Sequence, residues 1–153
     1  FVNAAMDDVR AIADAVGLDY VQFHGDETVK YVASFGARAI KALGVRDAQD
    51  ARRVAEYASA AFVLVDTASA GYGGSGRTFD WETLTGVPRE RLWLAGGLTP
   101  ENVAEAIARI GPYAVDTASG VESAPGEKDA EKMRAFVAAA RRARFVEPPG
   151  ENQ

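Results

Sequence analysis

The sequence predicts an α/β domain built on a parallel sheet, and three observations carry that expectation. Short apolar runs of about four or five residues, rich in β-branched and aromatic side chains, end at or beside a Gly or an Asp. Segments with apolar residues one helical turn apart lie between them. The centres of the runs fall near residues 21, 41, 64, 94 and 115, about 20–30 residues apart. Strands alternating with helices in this way pair in parallel through right-handed crossovers.

Taken in order, Phe1-Val2-Asn3 reads as the tail of one strand, and Val9, Ile12, Ala13 and Val16 form the apolar stripe of a helix. Tyr20-Val21-Gln22-Phe23 is the next strand and stops at His24-Gly25; Ala39 to Leu43 follows and stops at Gly44. Phe62-Val63-Leu64-Val65 runs into Asp66-Thr67, and Leu92-Trp93-Leu94-Ala95 into Gly96-Gly97. Thr99-Pro100-Glu101 opens a helix, with Thr at the N-cap, Pro at the first helical position and an acid in the first turn. Val103, Ile107 and Ile110 give that helix its stripe, Tyr113-Ala114-Val115 leads to Asp116, and Met133, Phe136, Val137 and Ala140 mark a last helix. Residues 146–153, with Pro148-Pro149-Gly150, have little to bury and read as a disordered tail after a domain over residues 1–145. Such units fit either an open doubly wound sheet or most of a (β/α)8 barrel, which typically needs ~250 residues.

Composition narrows the function. The 153 residues are 48% hydrophobic and 25% charged, an ordinary globular balance. The net charge of −5 argues against a nucleic-acid partner, which calls for a basic face. With no cysteine, thiolate-held zinc, iron–sulfur clusters and a cysteine nucleophile are excluded within these residues. No apolar run approaches the ~20 residues of a membrane span, so no membrane partner is expected, and with no basic-then-apolar signal segment at the start a cytoplasmic location is expected.

In either architecture the carboxyl ends of the strands carry the chemistry. Gln22, His24, Gly25, Asp66, Gly96, Gly97, Asp116, Ser119 and Gly120 gather there. Gly96-Gly97 lets backbone approach a ligand, and the helix that follows favours an anion; Ser119-Gly120 offers further N–H donors in the next loop. The plainer reading makes these glycines tight turns. Asp66 ends an apolar strand, where lost solvation raises a carboxyl's pKa toward use as an acid, or it caps a helix or anchors a loop. Asp116 has the same alternatives. His24 is the only histidine, so no metal site is expected, and a lone His at a strand end is more often hydrogen-bonded packing than catalyst. Gly71 to Thr78 nearly matches the nucleotide-binding pattern G-x-x-x-x-G-K-S/T but has Arg77 in place of the lysine; the alternative is a glycine-rich lid.

Several stretches together carry a resemblance. These are Val21-Gln22-Phe23-His24-Gly25-Asp26-Glu27, Val65-Asp66-Thr67, and Tyr72-Gly73-Gly74-Ser75-Gly76-Arg77-Thr78-Phe79-Asp80-Trp81. Leu94 to Val103, Val115 to Glu122 and Pro125-Gly126 continue the series. In order and spacing, from Phe1 to about Ala143, the chain resembles the phosphoribosylanthranilate isomerase family, (β/α)8 barrels of tryptophan biosynthesis. The resemblance implies an Amadori rearrangement of N-(5-phosphoribosyl)anthranilate to 1-(2-carboxyphenylamino)-1-deoxyribulose 5-phosphate. By the same resemblance Asp66 is the general acid, and the backbones of Gly96, Gly97, Ser119 and Gly120 hold the phosphate. Gln22, His24 and Asp116 line the pocket around the sugar and amine. Paired proton transfer of this kind calls for no cofactor and no metal.

The family's base is a cysteine in a Lys-x-Cys-Gly run on its first strand, and an arginine after its second strand grips the anthranilate carboxylate. Neither has a counterpart here, and Phe1-Val2-Asn3 aligns with the end of the third strand. The expectation is therefore an incomplete TIM barrel, about strands 3–8, with open edges at Phe1-Val2 and at Val115, and a chain inactive by itself. Its partners would be a phosphorylated small molecule and either a second copy in a homodimer or a complementing N-terminal fragment. The competing readings are another phosphate-binding barrel enzyme, a nucleotide-binding module on Gly71 to Thr78, and a non-catalytic assembly remnant.

Overall fold

In a computed structural model, residues 1–66, 81–84 and 87–146 are described. The glycine-rich stretch from Gly71 to Thr78 and all but the first residue of the expected tail at 146–153 lie outside them. Five strands form the sheet: β1 (Val21–Phe23), β2 (Ala39–Gly44), β3 (Phe62–Asp66), β4 (Leu92–Ala95) and β5 (Ala114–Val115). All neighbours pair in parallel, in the order β1-β2-β3-β4-β5. Strand order follows chain order with no reversal among the described residues. A doubly wound sheet reverses at its switch point, so of the two architectures this is the arrangement of a (β/α)8 wall.

Phe1 joins the sheet through two backbone bonds to the far side of β1: Phe1 N donates to Gln22 O at 2.7 Å and His24 N to Phe1 O at 2.9 Å. That alternation about Phe23 is the pattern of a parallel ladder, as the expected strand tail requires.

Three helices fall where the stripes place them: α1 (Met6–Val16), then α4 (Val103–Ile110) and α5 (Ala130–Arg142). Short α2 (Val29–Ala33) and α3 (Ala48–Arg52) were not anticipated, because five residues are too few to show a helical period. The stripes are only partly buried. Val9 and Ala13 of α1 and Phe136 of α5 reach the core, whereas Ile12, Val16, Met133 and Val137 stay exposed. After β5 a 3-10 turn at Ser119–Val121 leads into an antiparallel hairpin of β6 (Glu122–Ala124) and β7 (Glu127–Lys128). Two-residue and three-residue strands carry no readable alternation, so the hairpin too was illegible in sequence. No helix among the described residues is long and apolar enough to cross a membrane.

The sheet has two unlike faces. Val21, Phe23, Ala39, Leu43, Val63, Val65, Leu92 and Leu94 pack under the helices in the larger core. The other face carries a smaller cluster of Ile40, Ala42, Leu64 and Ala95, flanked by Phe62 and Trp93. Its register partners on β1 and β5 are Gln22 and Ala114. At the starting ends of the strands, Phe62 meets Tyr20, Trp93 and Tyr113 with ring centroids 5.5, 5.3 and 5.0 Å away.

Candidate active site

The second face is where the expected site residues converge. Asp66 ends β3 opposite Gly44 and Ala95. Leu94 pairs with Val115, and Asp116 N donates to Leu94 O at 2.8 Å, so Asp116 continues the row past Ala95. Register partners share a face, so both carboxylates belong to the side of Ala95. With strands ~4.8 Å apart, two steps along the row separate their backbones by about 10 Å. Asp66 is half-buried at this rim and Asp116 exposed. Gln22 is on the same face but opposite Ile40, four residues lower along the ladder than Asp66 opposite Gly44. His24 lies one residue past β1, exposed.

The two glycine loops are built and tied together. Gly96 and Gly97 have φ of 87° and 65°, the left-handed region that side chains avoid, so the turn out of β4 depends on them. A Cβ on Gly120 would lie 1.8 Å from Leu98 O, so only glycine lets the loop after β5 approach the loop after β4. Thr117 Oγ1 bonds the same Leu98 carbonyl at 2.6 Å.

Side chains outside the loops hold their peptides. Val103 N bonds Thr99 O at 3.1 Å, closing a turn over residues 99–103 ahead of α4, whose N-cap is Asn102. Thr99 Oγ1 accepts from Glu101 N at 3.2 Å while Asn102 Oδ1 accepts from Thr99 N at 2.8 Å, two reciprocal bonds that lock this turn. Asn102 Nδ2 also donates to Gly97 O at 2.9 Å, so one amide fixes both this turn and the glycine turn. On the neighbouring loop Lys128 Nζ donates to Ala118 O at 2.8 Å and to Glu122 Oε1 at 2.6 Å. The hydrogen bond from Lys128 holds the Glu122 carboxyl below the usual range. A trans peptide points its N–H opposite its carbonyl, so gripping Ala118 O aims the Ser119 N–H away from Lys128.

Asn102, Thr117 and Lys128 are not among the residues that the sequence singles out. The Thr99–Asn102 spacing is the available signal; nothing in the sequence places Lys128 beside Ala118. The buried ion pair of Lys41 and Glu27 has one sequence signal, a lysine inside an otherwise apolar strand.

The geometry defines a class: a parallel α/β enzyme of barrel type, with carboxylates and paired glycine loops at the carboxyl ends of its strands. Comparison with known proteins makes this specific. The profile of the N-(5'phosphoribosyl)anthranilate (PRA) isomerase family matches residues 1–139. An N-(5'-phosphoribosyl)anthranilate isomerase of Citrifermentans bemidjiense is 44% identical over 147 residues, covering 95% of this chain and 71% of that protein. The crystal structure of the Thermotoga maritima phosphoribosyl anthranilate isomerase superposes with a TM-score of 0.79 at 40% identity, covering 92% of this chain and 70% of that one. A phosphoribosyl anthranilate isomerase in complex with reduced 1-(o-carboxyphenylamino)-1-deoxyribulose 5-phosphate gives a TM-score of 0.75 at 36% identity, covering 92% and 69%. The chain belongs to the N-(5'-phosphoribosyl)anthranilate isomerase family, isomerases of tryptophan biosynthesis.

Proposed function

We propose that this chain supplies the acid, the phosphate site and part of the sugar pocket for the Amadori rearrangement of N-(5-phosphoribosyl)anthranilate. The observation that carries the reading is the position of Asp66 at the rim of the second face, in one row with Ala95 and Asp116, beside the two tied glycine loops. Backbone N–H groups of Gly96, Gly97, Ser119 and Gly120 hold the 5'-phosphate, as glycine-rich turns between strand and helix do for anions. Gln22, His24 and Asp116 line the space around the sugar and the amine.

In the first step the Asp66 carboxyl gives its proton to the ribose ring oxygen as the C1–O bond breaks. The amine lone pair forms the C1=N bond of the Schiff base. In the second, a base removes the C2 proton and the electrons make an enaminol, which takes a proton at C1 as its C2 hydroxyl gives one up, leaving the amino ketose. No electrons leave the substrate, so proton transfer alone balances the reaction. The base that the family resemblance assigns to a cysteine is not among these 153 residues, which contain none.

Asp66→Asn in the active enzyme tests the assignment. The expected result is a fall in kcat of about 10²–10⁴-fold, the usual worth of a positioned acid, with affinity for the phosphorylated ligand kept within about threefold. Normal turnover would remove Asp66 from the acid role.

A further inference from the structure

The helix side of β1 and β2 holds a charged pair that this chemistry does not use. The Lys41 side chain is 1% exposed and the Glu27 side chain 2%. All three Lys41 donor directions are used: Nζ reaches Glu27 Oε2 at 2.9 Å, Gly25 O at 2.6 Å and Phe23 O at 3.2 Å. Glu27 Oε1 accepts from Asn3 N at 2.8 Å and Oε2 from Gly25 N at 3.0 Å. Asp26 N adds a bond to Asn3 Oδ1 at 2.7 Å, and the Tyr57 hydroxyl donates to Glu27 O at 3.2 Å. A Cβ on Gly25 would come within 2.4 Å of Asn3 Oδ1, so the two turns meet only because residue 25 is glycine. Burial pushes the Glu27 carboxyl up, but its bonds from Lys41 and Asn3 outweigh that and hold it below the usual range.

Stability does not explain such a pair, since well-packed apolar residues of similar volume are commonly as good or better. What a buried pair does that apolar packing cannot is fix peptide orientations, and here they are the peptides around His24. Lys41 grips the carbonyl before it (Phe23 O), Glu27 the N–H after it (Gly25 N), and Phe1 O takes its own N–H at 2.9 Å.

We propose that Lys41 and Glu27 are positioning residues for the substrate pocket: the buried pair locks the His24–Glu27 turn against the Asn3 turn, and so presents His24 in one orientation to the phosphorylated aminosugar. The inference rests on the pocket role given to His24 above.

His24 is the only histidine in the sequence, so a single imidazole signal set in an NMR spectrum reports on it directly. The probe is reduced 1-(o-carboxyphenylamino)-1-deoxyribulose 5-phosphate, titrated into the unaltered protein and into the double variant Lys41→Met with Glu27→Leu. The unaltered protein is expected to shift its imidazole signals on binding. The double variant should unfold at the same or higher denaturant concentration, yet bind about tenfold more weakly or worse with a smaller imidazole shift, as loosened preorganisation dictates. Glu27→Gln, nearly isosteric, is read in the same way should the double variant fail to fold, with a loss of about threefold. Imidazole signals in the unaltered protein that ignore saturating probe would overturn the pocket role of His24 and this inference with it. Signals that move equally, with equal affinity, in the unaltered and variant proteins would overturn the positioning role alone.

Discussion

The rim of the sheet is fixed in two physically different ways. The Asn3 and His24–Glu27 turns are held from beneath by charges almost wholly removed from water. The glycine loops after β4 and β5 are held from the side by an amide, a hydroxyl and the Lys128 ammonium, whose side chain is 44% exposed. A buried pair resists salt and is costly to break by halves, because the surviving partner is stranded. Exposed clamps are individually weak and screened, and they work by acting together. One rim therefore contains a keystone and a set of stitches.

Breaking the keystone by halves gives the largest effect. Lys41→Met alone leaves Glu27 buried and unpaired and is expected to cost about 3–5 kcal/mol in urea unfolding, most of it restored by adding Glu27→Leu. Next comes Gly120→Ala, whose Cβ has no room beside Leu98 O. Its expected cost is about 1–3 kcal/mol, together with weakened inorganic phosphate binding, measured by calorimetry.

Acid sharpens the contrast. Because the folded Glu27 carboxyl is held below its usual range, its contribution is present above the unfolded value and lost as pH falls through the folded one. Urea midpoints below about pH 4 should drop further in the unaltered protein than in the Lys41→Met, Glu27→Leu double variant. The difference isolates this pair from Asp50, Glu122 and Asp129, whose carboxyls are also held low. Lys128→Met is the smallest change, under about 1 kcal/mol and shrinking with added salt, as an exposed stitch should be.

Much of the fold was legible because its signals are local. Each of the five strands carries a β-branched or aromatic run bounded by Gly or Asp, and all five form. The stripe of α4 was legible for the same reason, although the helix begins at Val103 with Asn102 as its N-cap, three residues past the start expected at Pro100. What stayed hidden depends on pairing across distance. The strand order, which separates barrel wall from doubly wound sheet, is a matter of which edges meet. The candidate site divides in the same way: Asp66, Asp116, Gly96 and Gly97 are conspicuous in sequence as polar residues and glycines at strand ends. The groups that hold the rim do not, since Lys41 meets Glu27, and Lys128 meets Ala118, only after the chain has folded back. Ile12 and Val16 show the converse, an apolar stripe readable in sequence and only half used in the fold.

The aromatic cluster at the opposite end of the strands bears on how the domain assembles in time. Tyr20 precedes the first strand of the sheet and Tyr113 the last, yet both pack around Phe62, with Trp93 beside them. Contacts between positions so far apart in the chain demand closure of long loops, and such closure comes late and slowly. The cluster cannot form until β3 and β4 are laid side by side, so it serves folding as a clasp. Its replacement by smaller residues should hasten unfolding while leaving the folding rate nearly unchanged.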